Sequence, residues 1–116
     1  MLVTEMSTLF SKIIDGEIPG EFVYQDEHLV VIKDIYPKAP VHVLMIPRKP
    51  IINLDDLCPE DQTLMGYMML KVPEIAAQLG LDKGYRTILN TGKGGGQEVF
   101  HLHIHILGGA EALPFT

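Results

Sequence analysis

The sequence predicts an α+β domain built on a five-stranded, mainly antiparallel sheet with two main helices. Five short runs are rich in β-branched and apolar residues, and two longer segments repeat apolar residues at helical spacing. Most links between consecutive strands are too short for the crossover that parallel strands need. With 116 residues, the chain has the size of a single domain spanning residues 1–116.

Turn-forming residues bound each predicted strand. The predicted strands cover Phe22 to Gln25, Leu29 to Lys33, Val41 to Ile46, Tyr85 to Asn90 and Val99 to Leu107. A polar turn at residues 26–28 joins the first two. Pro37 and Pro40 enclose the loop that follows the second strand, because proline cannot pair in a sheet interior.

Two segments are predicted to be helical. Ser7 or Thr8 can cap a short helix that ends before Gly16. A second helix is expected from Pro59, a residue favoured in a first turn, up to Gly80. Proline lacks the backbone N–H that a helix interior uses, so we expect Pro73 to kink or split this helix near residue 70.

Charge and composition limit the possible partners. The net charge of −6, from 9 basic and 15 acidic residues, disfavours nucleic acid as a partner but leaves a small phosphorylated ligand possible. No apolar run reaches the roughly 18 residues that a membrane span requires, and the first residues lack a basic region before a long apolar one. We therefore expect no membrane association. A single cysteine, Cys58, cannot form a disulfide within the chain, which suits a reducing compartment, so we expect a cytoplasmic location.

The segment from Val99 to Leu107 alternates histidine with apolar residues. Side chains of a strand point to opposite faces in turn, so His101, His103 and His105 are expected on one face. Phe100, Leu102, Ile104 and Ile106 are then expected on the other. Successive histidines would lie about 6.6 Å apart at Cα, two residues at roughly 3.3 Å each, which is close enough to serve one ligand group.

Three interpretations of these histidines remain open. A neutral imidazole is a nucleophile at pH 7, and a neighbouring imidazolium can donate a proton, which suits attack on a phosphate ester, amide or anhydride. Two histidines at positions i and i+2 of a strand can also bind zinc, although no further ligand lies close in sequence. Three structural histidines would each need a buried partner. We favour catalysis.

A glycine-rich loop, Asn90 to Gln97, leads into the histidine segment. Glycines let the backbone approach a ligand closely and turn consecutive N–H groups toward an anion. Such a loop can equally be a flexible connection. Its position beside the histidines favours a phosphate-facing role.

Several motifs together resemble a known family. The segment from His101 to Gly109, HLHIHILGG, is similar to the defining motif of the histidine triad superfamily, in which histidines alternate with apolar residues. Residues 13–19 (IIDGEIP), 40–44 (PVHVL) and 95–99 (GGQEV) resemble its branch of small histidine triad nucleotide-binding proteins. The resemblance extends from Leu9 to Gly109.

This resemblance implies hydrolysis of purine nucleoside phosphoramidates without a metal or other cofactor. His103 corresponds to the nucleophile that becomes transiently nucleotidylated, and His105 to the histidine that bonds the phosphate and assists the leaving group. His101 corresponds to the residue whose carbonyl orients the nucleophile. His42 corresponds to a fourth histidine that acts as a proton relay, although on local pattern it can equally be a buried strand residue.

The resemblance also implies a nucleotide site. Asp34, otherwise a plausible turn residue, corresponds to the carboxylate that accepts hydrogen bonds from the ribose hydroxyls. Asn90 and the backbone at Gly96, Gln97 and Val99 correspond to phosphate-binding positions. The apolar slot for the purine would be formed by Leu9, Phe10, Ile13, Ile18, Ile32 and Ile35.

The chain departs from the animal members of this branch in two places. Glu98 stands where they carry a serine near the leaving group, and a carboxylate there should favour a cationic or amine leaving group. The tail after Gly109 lacks their tryptophan-containing end. The cysteines that some relatives use for zinc are also absent between Ser7 and Lys12.

The family forms a two-fold homodimer with a continuous ten-stranded sheet. The methionines and leucine of the second helix give this some independent support, because they are more apolar than one core face requires. They are Met65, Met68, Met69 and Leu70. A helix buried entirely in its own domain is the alternative.

Three other functions remain possible. One is a dinucleoside polyphosphate hydrolase of the fragile-histidine-triad branch. Another is a nucleotide-binding regulatory protein with minor catalysis. A metal-binding module is the least favoured.

Overall fold

The fold was taken from a computed structural model, which describes residues 8–111 and residue 113. The strands are β1 (Phe22–Gln25), β2 (Leu29–Lys33), β3 (Val41–Pro47), β4 (Tyr85–Ile88) and β5 (Ile104–Gly108). The helices are α1 (Leu9–Ile14) and α2 (Gln62–Gln78), with 3₁₀ turns at Leu54–Asp56, Pro59–Asp61 and Lys93–Gly95. The strands form one antiparallel sheet in the order β1-β2-β3-β5-β4, which confirms the predicted fold class.

The two faces of the sheet carry separate apolar clusters. In β2, Leu29 and Val31 pack in a cluster with α2, whereas Val30 and Ile32 pack with α1. This alternation follows from the period of two along a strand. The sheet therefore has a larger, closed face under α2 and a smaller face beside α1.

Helix α1 begins and ends near the predicted residues. The side chain of Thr8 accepts a hydrogen bond from the Ser11 N–H at 3.1 Å and so caps the helix, while Ser7 lies outside the described residues. Gly16 follows the helix with φ of +84°, a conformation that glycine adopts at little cost. Phe10 and Ile13 are buried, so the helix presents an apolar face to the sheet.

The predicted split of the second helix is wrong, because α2 runs unbroken from Gln62 to Gln78 with Pro73 inside it. Val72 precedes the proline, Ile75 and Ala76 follow it, and all three are buried against the sheet. Proline removes one helical hydrogen bond, and burial of these apolar side chains on both sides offsets that loss. Among the described residues, no helix is both long and apolar enough to cross a membrane.

The last strand is shorter than predicted. It begins at Ile104 rather than Val99 because the preceding backbone bonds elsewhere. The Leu102 N–H donates to the Ile51 carbonyl at 2.7 Å, and the Val99 carbonyl accepts from the Gln97 side chain. Strand β4 likewise ends at Ile88, two residues before the predicted end at Asn90.

The predicted alternation of faces nevertheless continues outside the strand. Leu102, Ile104 and Ile106 lie in the cluster under α2. Phe100 does not, and its side chain is 43% exposed, so the predicted apolar face begins only at Leu102. The histidines therefore project to the α1 side of the sheet from a segment that is strand only at His105.

Candidate active site

A cavity of about 1000 Å³ opens on the α1 side of the sheet. Helix α1, the β2–β3 loop, the glycine loop and two histidines enclose it. The predicted site residues that line it are Leu9, Phe10, Ile13, Ile32, Asp34, Ile35, Asn90, Gly96, Glu98, Val99, His103 and His105. Its volume is at the upper end of the range typical of small-molecule sites.

Four residues predicted for the site lie outside the cavity wall. His42 and His101 are buried behind the lining histidines, and Gln97 is buried within the glycine loop. Ile18 packs against the cluster beside α1 and does not line the cavity. The purine slot expected from the sequence therefore lacks Ile18.

His101 and His103 are joined through the backbone. The Nδ1 of His103 lies 2.8 Å from the carbonyl oxygen of His101, and a carbonyl can only accept. His103 therefore carries its proton on Nδ1 and is left with a lone pair on Nε2.

The ring of His101 is itself held on both sides. Its Nε2 donates to the Pro47 carbonyl at 2.7 Å, so its Nδ1 is the acceptor for the Ser11 hydroxyl at 3.3 Å. The residue is 1% exposed. His101 thus lies in a fixed orientation beneath the nucleophilic position rather than in contact with the cavity.

A second chain of hydrogen bonds sets the protonation of His105. The Lys38 N–H donates to His42 Nδ1 at 3.1 Å, so the proton of a neutral His42 is on Nε2. That Nε2 lies 2.9 Å from His105 Nδ1, which must accept. His105 therefore carries its own proton on Nε2. His42 and His105 meet because Leu44 pairs with His105 and His42 is its diagonal neighbour across β3 and β5.

The two histidines of the cavity wall are thus complementary. His103 offers a lone pair and His105 offers an N–H, and their ring centroids are 5.0 Å apart. The edge of Phe10 packs against His103 with centroids at 4.8 Å. The site presents a nucleophile and a hydrogen-bond donor to a single group.

Burial keeps these imidazoles neutral. It lowers the pKa of His101, His103 and His42 below the ordinary value of 6.5, despite the opposing influence of hydrogen bonds or of Asp34. For His105, burial and then the neighbouring His103 and His42 lower the pKa to about 4. At pH 7 the site therefore has a free imidazole lone pair.

Asp34 lies at the end of β2, where the sheet meets the cavity. One carboxylate oxygen accepts from the Tyr36 N–H at 2.8 Å, and the other lies 3.4 Å from His42 Nε2. Because His42 is neutral at pH 7 and its Nε2–H is donated to His105, this contact is not an ion pair. The carboxylate keeps lone pairs for hydroxyl groups of a ligand.

Several backbone N–H groups of the glycine loop donate within the loop itself. The N–H groups of Gly95, Gly96 and Gln97 donate to loop carbonyls at 3.0 Å each. Asn90 donates its side-chain amide to the Gly95 carbonyl at 2.8 Å. In the described part of the chain, the N–H groups of Glu98 and Val99, two residues of the cavity wall, have no hydrogen-bond acceptor. These two N–H groups are therefore available to a ligand.

One set of side chains has the spacing of a metal site. The ligand atoms of Asp34, His42 and His105 all lie within 4.8 Å of one another. A metal at this point would need the lone pair of His42 Nε2, but the Lys38 N–H holds the His42 proton on that nitrogen. The hydrogen-bond pattern therefore opposes a metal there.

Some residues that shape the site carry no sequence signal of their own. Ser11 and the Lys38 backbone set ring orientations, and Leu44 lines the cavity floor. Asn53 is buried and contacts the glycine loop. They act through tertiary contacts, so no local spacing reveals them. Ser11, for example, pairs with His101, which is 90 positions away.

Comparison with known proteins agrees with this architecture. Residues 15–112 match the HIT domain. Protein HitA of Neisseria gonorrhoeae is 57% identical over 100 residues, covering 86% of this chain and 94% of that protein.

Two solved structures are also closely similar. A HIT family hydrolase from Clostridium thermocellum superposes with a TM-score of 0.88 at 42% identity, covering 94% of this chain and 96% of the other. A HIT family hydrolase from Legionella pneumophila gives a TM-score of 0.87 at 40% identity, covering 90% and 95%. The chain belongs to the HIT domain family.

Proposed function

We propose that this protein hydrolyses purine nucleoside phosphoramidates through a nucleotidyl intermediate on His103. The observation that carries the proposal is that the two histidines in the cavity wall carry their protons on different ring nitrogens. His103 is held with a free lone pair by the His101 carbonyl, and His105 is held as an N–H donor by His42. Attack on phosphorus requires both functions within reach of one phosphate.

In the first step the lone pair of His103 Nε2 attacks phosphorus. The P–N bond to the amine breaks, and its electron pair leaves with the nitrogen, which takes its proton from solvent. In the second step water attacks the same phosphorus, the bond to His103 breaks, and its electron pair returns to Nε2. The water proton passes to solvent, and the products are the amine and a nucleoside monophosphate.

The neighbouring residues have supporting roles in this proposal. The Nε2–H of His105 donates to a phosphate oxygen as negative charge develops. His42 orients His105 through its Nε2–H, and the Lys38 N–H holds the second nitrogen of its ring. The relay role that the resemblance implies for His42 stays a prediction. Asp34 accepts hydrogen bonds from the ribose.

The base and the leaving group are assigned to different residues of the cavity wall in this proposal. Phe10, Ile13 and Ile32 supply apolar surface for a purine. Glu98 is exposed and lines the cavity beside Val99. Its carboxylate favours an amine that leaves as a cation.

We also propose that the chain forms a two-fold homodimer. Strand β4 is an edge of the sheet, and Tyr85 on it is 40% exposed. On α2, Met69 and Leu70 are 51% and 74% exposed. Large apolar side chains and an unpaired strand edge are the two features that a self-association surface would cover.

Steady-state turnover tests the proposed activity. The protein should cleave an adenosine phosphoramidate to adenosine monophosphate (AMP) and the amine, and His103→Ala should abolish this cleavage. Turnover of diadenosine polyphosphates with no phosphoramidate cleavage would instead indicate that the protein is a dinucleoside polyphosphate hydrolase. Nucleotide binding with no turnover of either substrate would indicate a regulatory binding protein.

A further inference from the structure

A buried pair of amide side chains lies behind the glycine loop. Gln97 is 4% exposed and Asn53 is 8% exposed, and neither lines the cavity. The Asn53 side chain comes from the segment between β3 and α2, whereas Gln97 is in the loop that precedes the histidines. The two residues therefore connect distant parts of the chain next to the proposed phosphate position.

Every hydrogen-bonding position of the Gln97 amide group has a defined partner. Its Oε1 accepts from the Asn53 side chain at 3.1 Å and from the Gly92 N–H at 2.8 Å. Its Nε2 donates to the carbonyls of Ile52 at 2.7 Å and Val99 at 3.1 Å. Only a neutral amide can accept on one side and donate on the other in this way.

The orientation of Asn53 is also determined. Its Oδ1 accepts from the Asp55 N–H at 3.0 Å, which directs its amino group to Gln97. Because Gln97 is bound at the same time to Gly92 and Val99, the pair ties both ends of the loop to the segment that follows β3. It sets where the N–H groups of Glu98 and Val99 lie relative to His103.

We propose that Asn53 and Gln97 are positioning residues that hold the Glu98 and Val99 N–H groups in place for the substrate phosphate. This inference rests on the proposed function, since it assigns these N–H groups to the phosphate. The pair does not contact the purine wall formed by Phe10 and Ile13. Its loss should therefore weaken binding of the phosphate and leave binding of the nucleoside unchanged.

Calorimetric titration with AMP and with adenosine tests this separation. Gln97→Met keeps the length of the side chain, adds no charge near the phosphate position and removes the donors to Ile52 and Val99. Asn53→Ala is the second variant, and it removes the donor to Gln97, again without adding charge. The matched control is Gln78→Met, which removes an amide donor to the Val23 carbonyl on the exposed side of α2. Thermal unfolding of each variant without ligand shows that it is folded.

We expect both loop variants to bind AMP about tenfold or more weakly than the unchanged protein, with adenosine affinity within about twofold and the control unchanged. AMP affinity equal to that of the unchanged protein in folded Gln97→Met and Asn53→Ala would overturn the positioning role alone. A parallel fall for AMP and adenosine would also overturn it, because that pattern indicates general loosening of the site. Failure of the unchanged protein to bind either ligand would overturn the proposed function as well.

Discussion

At the scale of single residues, the catalytic proposal depends on which nitrogen of each imidazole carries the proton. The Lys38 N–H and the His101 carbonyl, both main-chain groups, determine this for His105 and His103. Main-chain groups cannot change between donor and acceptor, so the assignment does not vary with pH near neutrality. Main-chain groups therefore determine that His103 presents a lone pair and that His105 presents an N–H donor.

His105 should act as a hydrogen-bond donor. His105→Ala should lower kcat for an adenosine phosphoramidate by about 10²–10³, the loss typical of one preorganised donor. His105→Gln, which retains an N–H on its side chain, should recover part of this loss. Steady-state kinetics of both variants checks the prediction. Equal losses in the two would mean that a titrating proton, rather than a hydrogen bond, is required.

The sequence predicts the identity of the site residues better than their bonding. The period of two places His103 and His105 on one face, and both line the cavity. The same period cannot show that Gln97 points into the protein or that its N–H donates to Gly92. Those features depend on the loop closing on itself and on Asn53, which is 44 positions away.

At the scale of elements, the β1–β2 turn is joined to α2 by one carboxylate. Asp26 accepts from the hydroxyls of Tyr24 and Tyr67 and from the N–H groups of His28 and Leu29. Burial alone raises the pKa of Asp26, but the hydrogen bonds, led by that from Tyr67, outweigh it and hold the pKa below its usual range. The turn is thereby fixed against the helix that covers the sheet.

Removing this carboxylate should destabilise the fold without affecting the site. Asp26→Ala should lower the free energy of unfolding by about 2 kcal/mol or more, because four donors lose their acceptor. Urea denaturation measures the change, with Asp82→Ala, an exposed aspartate in the α2–β4 turn, as the control. A loss no larger than the control's would show that solvent replaces these bonds.

The elements also show where prediction from sequence fails. The bounds of β1 and β2 are as predicted, because turn residues stand directly at their ends. The start of β5 differs from the prediction. Alternation of apolar residues indicates which face of the sheet a side chain lies on, but not which group the backbone of that residue hydrogen-bonds to. Pro73 is likewise tolerated in α2 by burial that the local sequence does not reveal.

At the scale of the whole molecule, the buried histidines make stability depend on pH. The pKa values of His42, His101, His103 and His105 are lower in the folded chain than the ordinary value of 6.5, and that of His105 is about 4. Between pH 4 and pH 6.5 the unfolded chain binds more protons than the folded chain, so the free energy of unfolding increases as the pH rises through this range. The melting temperature should fall as pH decreases from 7 to 5, and less steeply in His105→Gln. A flat profile over this range would contradict burial of neutral imidazoles.

The proposed dimer gives a second prediction at this scale. Sedimentation velocity should show a dimer for the unchanged protein. Leu70→Glu should shift it toward the monomer, because the side chain is 74% exposed in the protomer and its replacement adds charge without disturbing the core. A monomer at all concentrations for the unchanged protein would contradict the proposal.

The most direct test of the central claim is to trap the intermediate. The protein is mixed with an adenosine phosphoramidate, quenched within the first turnovers under alkaline conditions that preserve the N–P bond, and analysed by intact-mass and peptide mass spectrometry. We predict a mass increase of one adenylyl group that maps to His103 and is absent in His103→Ala. An adduct on another residue, or full turnover by His103→Ala, would contradict the account.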